Sequence, residues 1–239
     1  MVPPDLERAT ERLYAAFAHH RMPSDMTACD HCVDPADVDL FRRTPLRALS
    51  PNQLGTYLSN HGTWGDGTEL PHLAPRLLEA YAGGEMADWW WPEFVAERIH
   101  ARWRDRSPAE RSAVEDFFRA WWRWTLTSWP STNPAWDLLT AVATLGLDLG
   151  SYLADFTELT GEVPARHLAE VVDSWSWGGP TSLAEDADRV VRRWLADGTP
   201  ARLLWEAAVA AAASPAADEL TSAAEHADLL RDAMAEGAV

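Results

Sequence analysis

Apolar side chains recur at three- and four-residue steps along most of this chain, and no segment sustains the two-residue alternation of a half-buried strand. The pattern predicts an all-α protein. Its clearest stretch runs from Pro108 to Trp129, where Val114, Phe117, Phe118, Trp121, Trp122, Leu126 and Trp129 share one face. Trp124 widens that face, while Glu115, Arg119 and Arg123 run down the other side at i, i+4 spacing and can pair. A stripe this wide predicts neighbours on both flanks, which makes this helix the expected centre of the core.

Helix starts are marked by a capping residue followed by proline: Asp34-Pro35, Thr44-Pro45, Ser50-Pro51, Ser107-Pro108, Asn133-Pro134, Thr199-Pro200 and Ser214-Pro215. The cap oxygen accepts otherwise orphaned N–H groups, and proline gives up an N–H that would have no helical partner. Beyond Trp129 the pattern predicts three helical pairs: Pro134–Leu145 with Leu149–Leu159, Pro164–Trp175 with Thr181–Asp197, and Pro200–Ala213 with Ala216–Ala235. Their spacing is that of a two-helix solenoid unit, so the expected architecture is helical hairpins stacked as a HEAT-like solenoid. A compact helical bundle is the rival. Residues 1–129 form the expected N-terminal region and 130–239 the C-terminal hairpins, in one continuous domain.

Composition narrows the chemistry. With 239 residues, 47% apolar and 24% charged, the chain is globular and long enough to bury a core. All 20 basic residues are Arg. Without Lys there is no P-loop lysine, no Schiff base and no pyridoxal-phosphate enzyme, since each needs an ε-amine. The formal charge of −17 argues against nucleic acid, whose phosphates need clustered cations, and favours a basic protein partner. The acid is uneven: residues 130–239 carry 6 Arg against 18 Asp and Glu, whereas residues 1–129 carry 14 Arg against 19. The apolar run Leu203 to Ala213 is too short for a membrane span, the N-terminus lacks a signal-peptide pattern, and two Cys do not make a disulfide scaffold. The expectation is a cytoplasmic protein.

Candidate chemistry gathers in two N-terminal segments. Cys29-Asp30-His31-Cys32 is a C-x-x-C whose thiolates would supply two zinc ligands from one turn, with His61 or His72 downstream, or His19 or His20 upstream, completing the set. Two reduced thiols, or a redox pair, are the other readings. The second segment, His61 to His72, holds three Gly within six residues beside Trp64, Asp66 and Glu69, with Arg76 one turn on. Glycines allow close backbone approach, so a binding pocket is expected from Trp64, Asp66, Glu69, His72 and Arg76; the bland alternative is a capped turn with Trp64 plugging the core. Glu69-x-x-His72 and Glu97-x-x-His100 fit the di-iron bundle spacing, but chance placement of 17 Glu and 8 His already yields about 0.6 such pairs, so two are unremarkable. In the triplet Trp89-Trp90-Trp91, three consecutive Trp cannot all face one core, which adds Trp89 and Trp90 to the binding candidates. The segment Trp175 to Pro180 reads as a loop offering a second exposed Trp.

Four motifs, Cys29-x-x-Cys32, Pro45-Leu46-Arg47, Thr63-Trp64-Gly65-Asp66 and His72-Leu73-x-Pro75-Arg76-Leu77-Leu78-Glu79, resemble those of a group of uncharacterised bacterial hypothetical proteins over roughly the first 130 residues. The resemblance implies no activity; it marks these positions as a unit. No Gly-x-Ser-x-Gly, His-Glu-x-x-His or dinucleotide fingerprint occurs. Two expectations stand: a non-catalytic helical interaction module whose acidic surface docks a basic partner, as an adaptor or immunity-type protein does, or a metal-dependent or small-molecule-binding enzyme using Cys29 to Arg76.

Overall fold

The computed structural model describes residues 2–26, 28–29, 31–60, 63–86, 92–101, 105–178 and 183–235. Twelve α-helices lie among them, and their one pairing of extended backbone is an isolated bridge between Ala28 and Trp64. None of these helices is long and apolar enough to cross a membrane. The chain divides into two compact units, Met1–Ala120 and Trp121–Val239.

In the first unit, α1 (Pro4–Phe17) packs on α4 (Leu70–Ala82), and α4 also packs on α5 (Pro92–His100). Leu6, Ala9, Leu13 and Phe17 are buried along α1, and Leu73, Leu77 and Tyr81 along α4, each set at the helical period. The short helices α2 (Pro35–Arg43) and α3 (Pro51–Ser59) carry the chain between them. The long helix α6 (Pro108–Thr127) starts in this unit with Val114, Phe117 and Phe118 fully buried.

In the second unit, α6 ends with Trp121, Trp122 and Leu126 in the core. The Trp122 indole donates to the Tyr152 carbonyl at 3.1 Å and meets the Phe156 ring edge-on at 5.5 Å. Burying one Trp removes about 200 Å² from water, which contributes about 5 kcal/mol before entropy is charged against it. The three pairs follow: α7 (Ala135–Thr144) with α8 (Leu149–Glu158), α9 (Glu162–Gly178) with α10 (Glu185–Ala196), and α11 (Thr199–Ala210) with α12 (Ala217–Ala235). Each pair packs on the next: α7 and α8 touch α9, α8 touches α10, and α9 and α10 both touch α11 and α12.

The cap-proline signals meet mixed fates. Asp34 accepts the Ala36 N–H, and Ser50 heads a full capping box with Gln53. Ser107 and Glu110 form another, Ser107 Oγ accepting the Glu110 N–H while Glu110 Oε2 accepts the Ser107 N–H. At Thr44-Pro45 and Asn133-Pro134 the proline itself is the cap residue, and α11 starts at Thr199 after Gly198 in the left-handed region. Helix α6 stops short of Trp129 because Pro130 biases the preceding residue away from helical geometry. The expected loop after Trp175 is instead the end of α9 as far as Gly178. Two residues are nearly half a helical turn, so Trp175 is buried, donating to Asp188, while Trp177 faces outward.

Candidate functional site

The two N-terminal segments singled out by composition meet. Ala28 bridges Trp64, and the Cys29 N–H donates to the Thr63 carbonyl at 2.7 Å. The C-x-x-C turn is closed by the Cys32 and Val33 N–H groups, both donating to the Cys29 carbonyl. Both thiols are exposed and not joined in a disulfide. A hydrogen bond between them, with slight burial and the Cys29 charge adding, pushes the Cys32 thiol above its ordinary pKa. That shift runs against the low-pKa thiolate of a redox-active pair.

The glycine-rich segment folds as a turn around a carboxylate. Glu69 is buried and accepts the Tyr57 hydroxyl at 2.5 Å and the Gly67 N–H at 3.2 Å. Gly65 has φ +75°, and a Cβ there would stand 2.2 Å from Glu69 Oε1, so only glycine lets the turn close over this side chain. Trp64 is buried against Phe41 and Tyr57, with ring centroids 5.1 and 6.1 Å away. Glu69 Oε2 and Trp64 Nε1 are both buried without a hydrogen-bond partner among the described residues. Burial, then the charge and hydrogen bond of Glu69, raise the Tyr57 pKa, and burial lowers that of Arg98, whose charge reaches Tyr57. Asp66 is exposed and accepts the Thr68 N–H and hydroxyl, as a turn cap does.

His72 and Arg76 face elsewhere. Arg76 is buried: Nε donates to the Leu49 carbonyl at 3.1 Å, and the guanidinium pairs with Glu85 at 2.7 Å and Glu79 at 3.2 Å. Glu79 also accepts the Tyr14 hydroxyl, and Arg47 lies 3.7 Å over the Tyr14 ring while pairing with Glu11. Four of its five N–H donors are thus engaged within the protein, and Arg76 ties α4 to the Leu49 carbonyl, Glu79 and Glu85. His72 Nδ1 donates to the His20 carbonyl at 3.2 Å, and burial depresses its pKa against that bond. It does not join the two thiols: among the described residues no third metal-ligating group stands with Cys29 and Cys32. His61, Trp89 and Trp90, also expected at the site, lie outside the described residues.

Sequence reading missed two histidine–carboxylate clusters. His19 and His20 follow α1, their rings 4.0 Å apart, beside Glu110 in the first turn of α6. His20 Nε2 donates to Glu110 Oε1 at 2.5 Å, and His19 Nε2 is 3.9 Å from the same oxygen. Burial raises the Glu110 pKa, but hydrogen bonds from His20 and from the Ser107 backbone and hydroxyl outweigh it and hold the group below the usual carboxylate range. In the second unit His167 is 0% exposed, donating from Nε2 to the Ser128 carbonyl at 2.9 Å with Nδ1 3.4 Å from Glu170. Burial and then the Glu170 charge push Asp137 up to about 6. The adjacent pair His19-His20 was the visible signal for the first cluster; nothing local pointed to Glu110. Compared with known proteins, the chain matches no family model, no curated protein and no solved structure.

Proposed function

We propose that this protein is a non-catalytic helical interaction module, of adaptor or immunity type, whose second unit docks a basic protein. The observation that carries this reading is the exposed apolar group on the α11–α12 pair. Trp205 and Val209 share one face of α11 at i, i+4 spacing, and Val209 is 75% exposed. The Trp205 indole donates to Asp228 of α12 at 2.8 Å, and the next residue, Leu229, is 69% exposed. Glu206, Glu225 and Asp232 are exposed on the same two helices. Arg202 pairs with Glu206 and Arg231 with Asp228 and Asp232, so the rim is mixed but its balance is acidic. Apolar anchors within a polar rim are the arrangement of an interface, and the net sign of this rim favours a cationic partner.

The test is co-purification with cross-link mapping from the native host. The reading expects a basic protein cross-linked to α11–α12, released as salt rises from about 0.1 to 0.5 M because screening weakens exposed pairs. It expects that binding to fall at least about tenfold in Val209→Glu/Leu229→Glu, a loss of about 1.4 kcal/mol. Cross-links confined to other surfaces, or equal binding by the variant, would sink it.

A second reading, a metal-dependent or small-molecule-binding enzyme at Cys29 to Arg76, is favoured by the unpartnered Glu69 Oε2 and Trp64 Nε1 beneath the glycine turn. Buried polar atoms left unpaired cost about 1–3 kcal/mol each, and a bound ligand or water would relieve that cost. This reading expects zinc in the purified protein, lost in Cys29→Ser. Metal analysis that comes back blank removes its metal-dependent form.

A further inference from the structure

We infer that His19, His20 and Glu110 form a binding site for one divalent transition-metal ion of the zinc type. Their ligand atoms, one from each side chain, lie within 4.8 Å of one another. Donors around a tetrahedral zinc at about 2.0–2.1 Å stand roughly 3.3 Å apart. The contacts of Glu110 Oε1, 2.5 Å to His20 and 3.9 Å to His19, straddle that value, so small side-chain rotations open the pocket for an ion.

The site is built from both sides. Glu110 is almost wholly buried and cannot drift, because its other oxygen accepts the Ser107 N–H at 2.7 Å in the capping box. That bond leaves Oε1 directed at the imidazoles. The His20 N–H donates back to the Phe17 carbonyl at 3.0 Å, and the His20 carbonyl accepts from His72 of α4, so the backbone bearing both histidines is tied at two points. Such outer bonds orient metal ligands. His19, at 63% exposure, leaves one side open to solvent, where water would complete the coordination. Arg106 stands 3.9 Å from the same Glu110 oxygen and competes for it, which lowers affinity without removing a donor.

The ligand chemistry selects the ion. Two imidazoles and one carboxylate suit zinc and its first-row neighbours, whereas magnesium and calcium call for oxygen donors. The inference rests on neither reading above, since the site uses none of Cys29, Cys32 and Glu69 and no residue of α11 or α12.

The experiment titrates zinc chloride into the full chain carrying Cys29→Ser and Cys32→Ser, which removes the exposed thiols as competing ligands. The expected result is saturable binding of one zinc per chain, weakened at least about tenfold in each of His19→Ala, His20→Ala and Glu110→Gln. Glu110→Gln keeps a side chain able to close the capping box, and His19→Ala alters an exposed residue, so neither result depends on a damaged fold. Cobalt gives a second readout: the ordered site shows intense visible bands of low-symmetry coordination, lost in His19→Ala. Absence of saturable zinc binding, or binding equally strong in His19→Ala and His20→Ala, overturns the inference.

Discussion

The two units each set histidine against carboxylate, with opposite results. In the second, His167 has both ring nitrogens within reach of partners and lies under the edge of Trp129, 4.8 Å between ring centroids. Its neighbours Glu170 and Asp137, both half-buried, crowd two acids together, and the wholly buried imidazole ties α9 to the segment after α6. In the first, His19 and His20 leave the end of a helix and lean on Glu110 from the solvent side. The same residue types are structural where the imidazole is wholly buried with both nitrogens near partners, and available where one flank is open. Exposure and convergence, not composition, separate the two.

That contrast can be broken most directly by deletion. His167→Ala removes a wholly buried ring and strands the Ser128 carbonyl, so unfolding in urea is expected to show a loss of about 3 kcal/mol. His19→Ala, its counterpart, should stay within about 0.5 kcal/mol of the parent in the same assay without metal. Equal losses at both positions would make the first cluster structural as well. Next in size is Gly65→Ala, expected to cost about 2 kcal/mol because it combines a left-handed backbone with a Cβ driven into Glu69. A melting temperature matching the parent would show that Glu69 is not held under the turn.

Asp137 sharpens the comparison through pH. Its folded pKa of about 6 lies above the ordinary 3.8, so the folded state holds this proton more tightly than the unfolded one. Its contribution to stability is therefore fullest below about pH 4, declines as pH rises towards 6, and is flat beyond. Asp137→Asn should remove that decline and stabilise the protein at pH 7.5 by about 1 kcal/mol, after allowance for partial solvent screening, with little gain at pH 4. Urea midpoints at the two pH values test it; a larger gain at the acidic end would reverse the assigned cause.

The helices were legible because their signals are local. Leu6, Leu13 and Phe17, or Trp121, Trp122 and Leu126, fall on one face by the period of the helix itself, and the three C-terminal pairs follow the predicted segments to within a few residues at most ends. Asp34, Ser50 and Ser107 cap within three residues, so the sequence window contains both partners. The candidate site was legible only in part. That the glycine turn would wrap a group was readable from Gly65 and Gly67; that the group would be Glu69, with Asp66 left as a turn cap, depends on Tyr57 arriving from α3. Arg76 was legible as a cation beside the turn; that it pairs with Glu79 and Glu85 is visible only in the fold.

By itself the sequence determined the all-α class, the positions of most helices, the absence of lysine chemistry and an acidity concentrated in the C-terminal half. These follow from period, capping and charge, which need no knowledge of distant neighbours. Only the tertiary structure decided which histidines meet which carboxylates. His20 and Glu110 are 90 residues apart, and their 2.5 Å contact exists because α1 ends where α6 begins. No local rule encodes such a meeting, since side chains converge in space through the packing of helices whose faces are read one at a time.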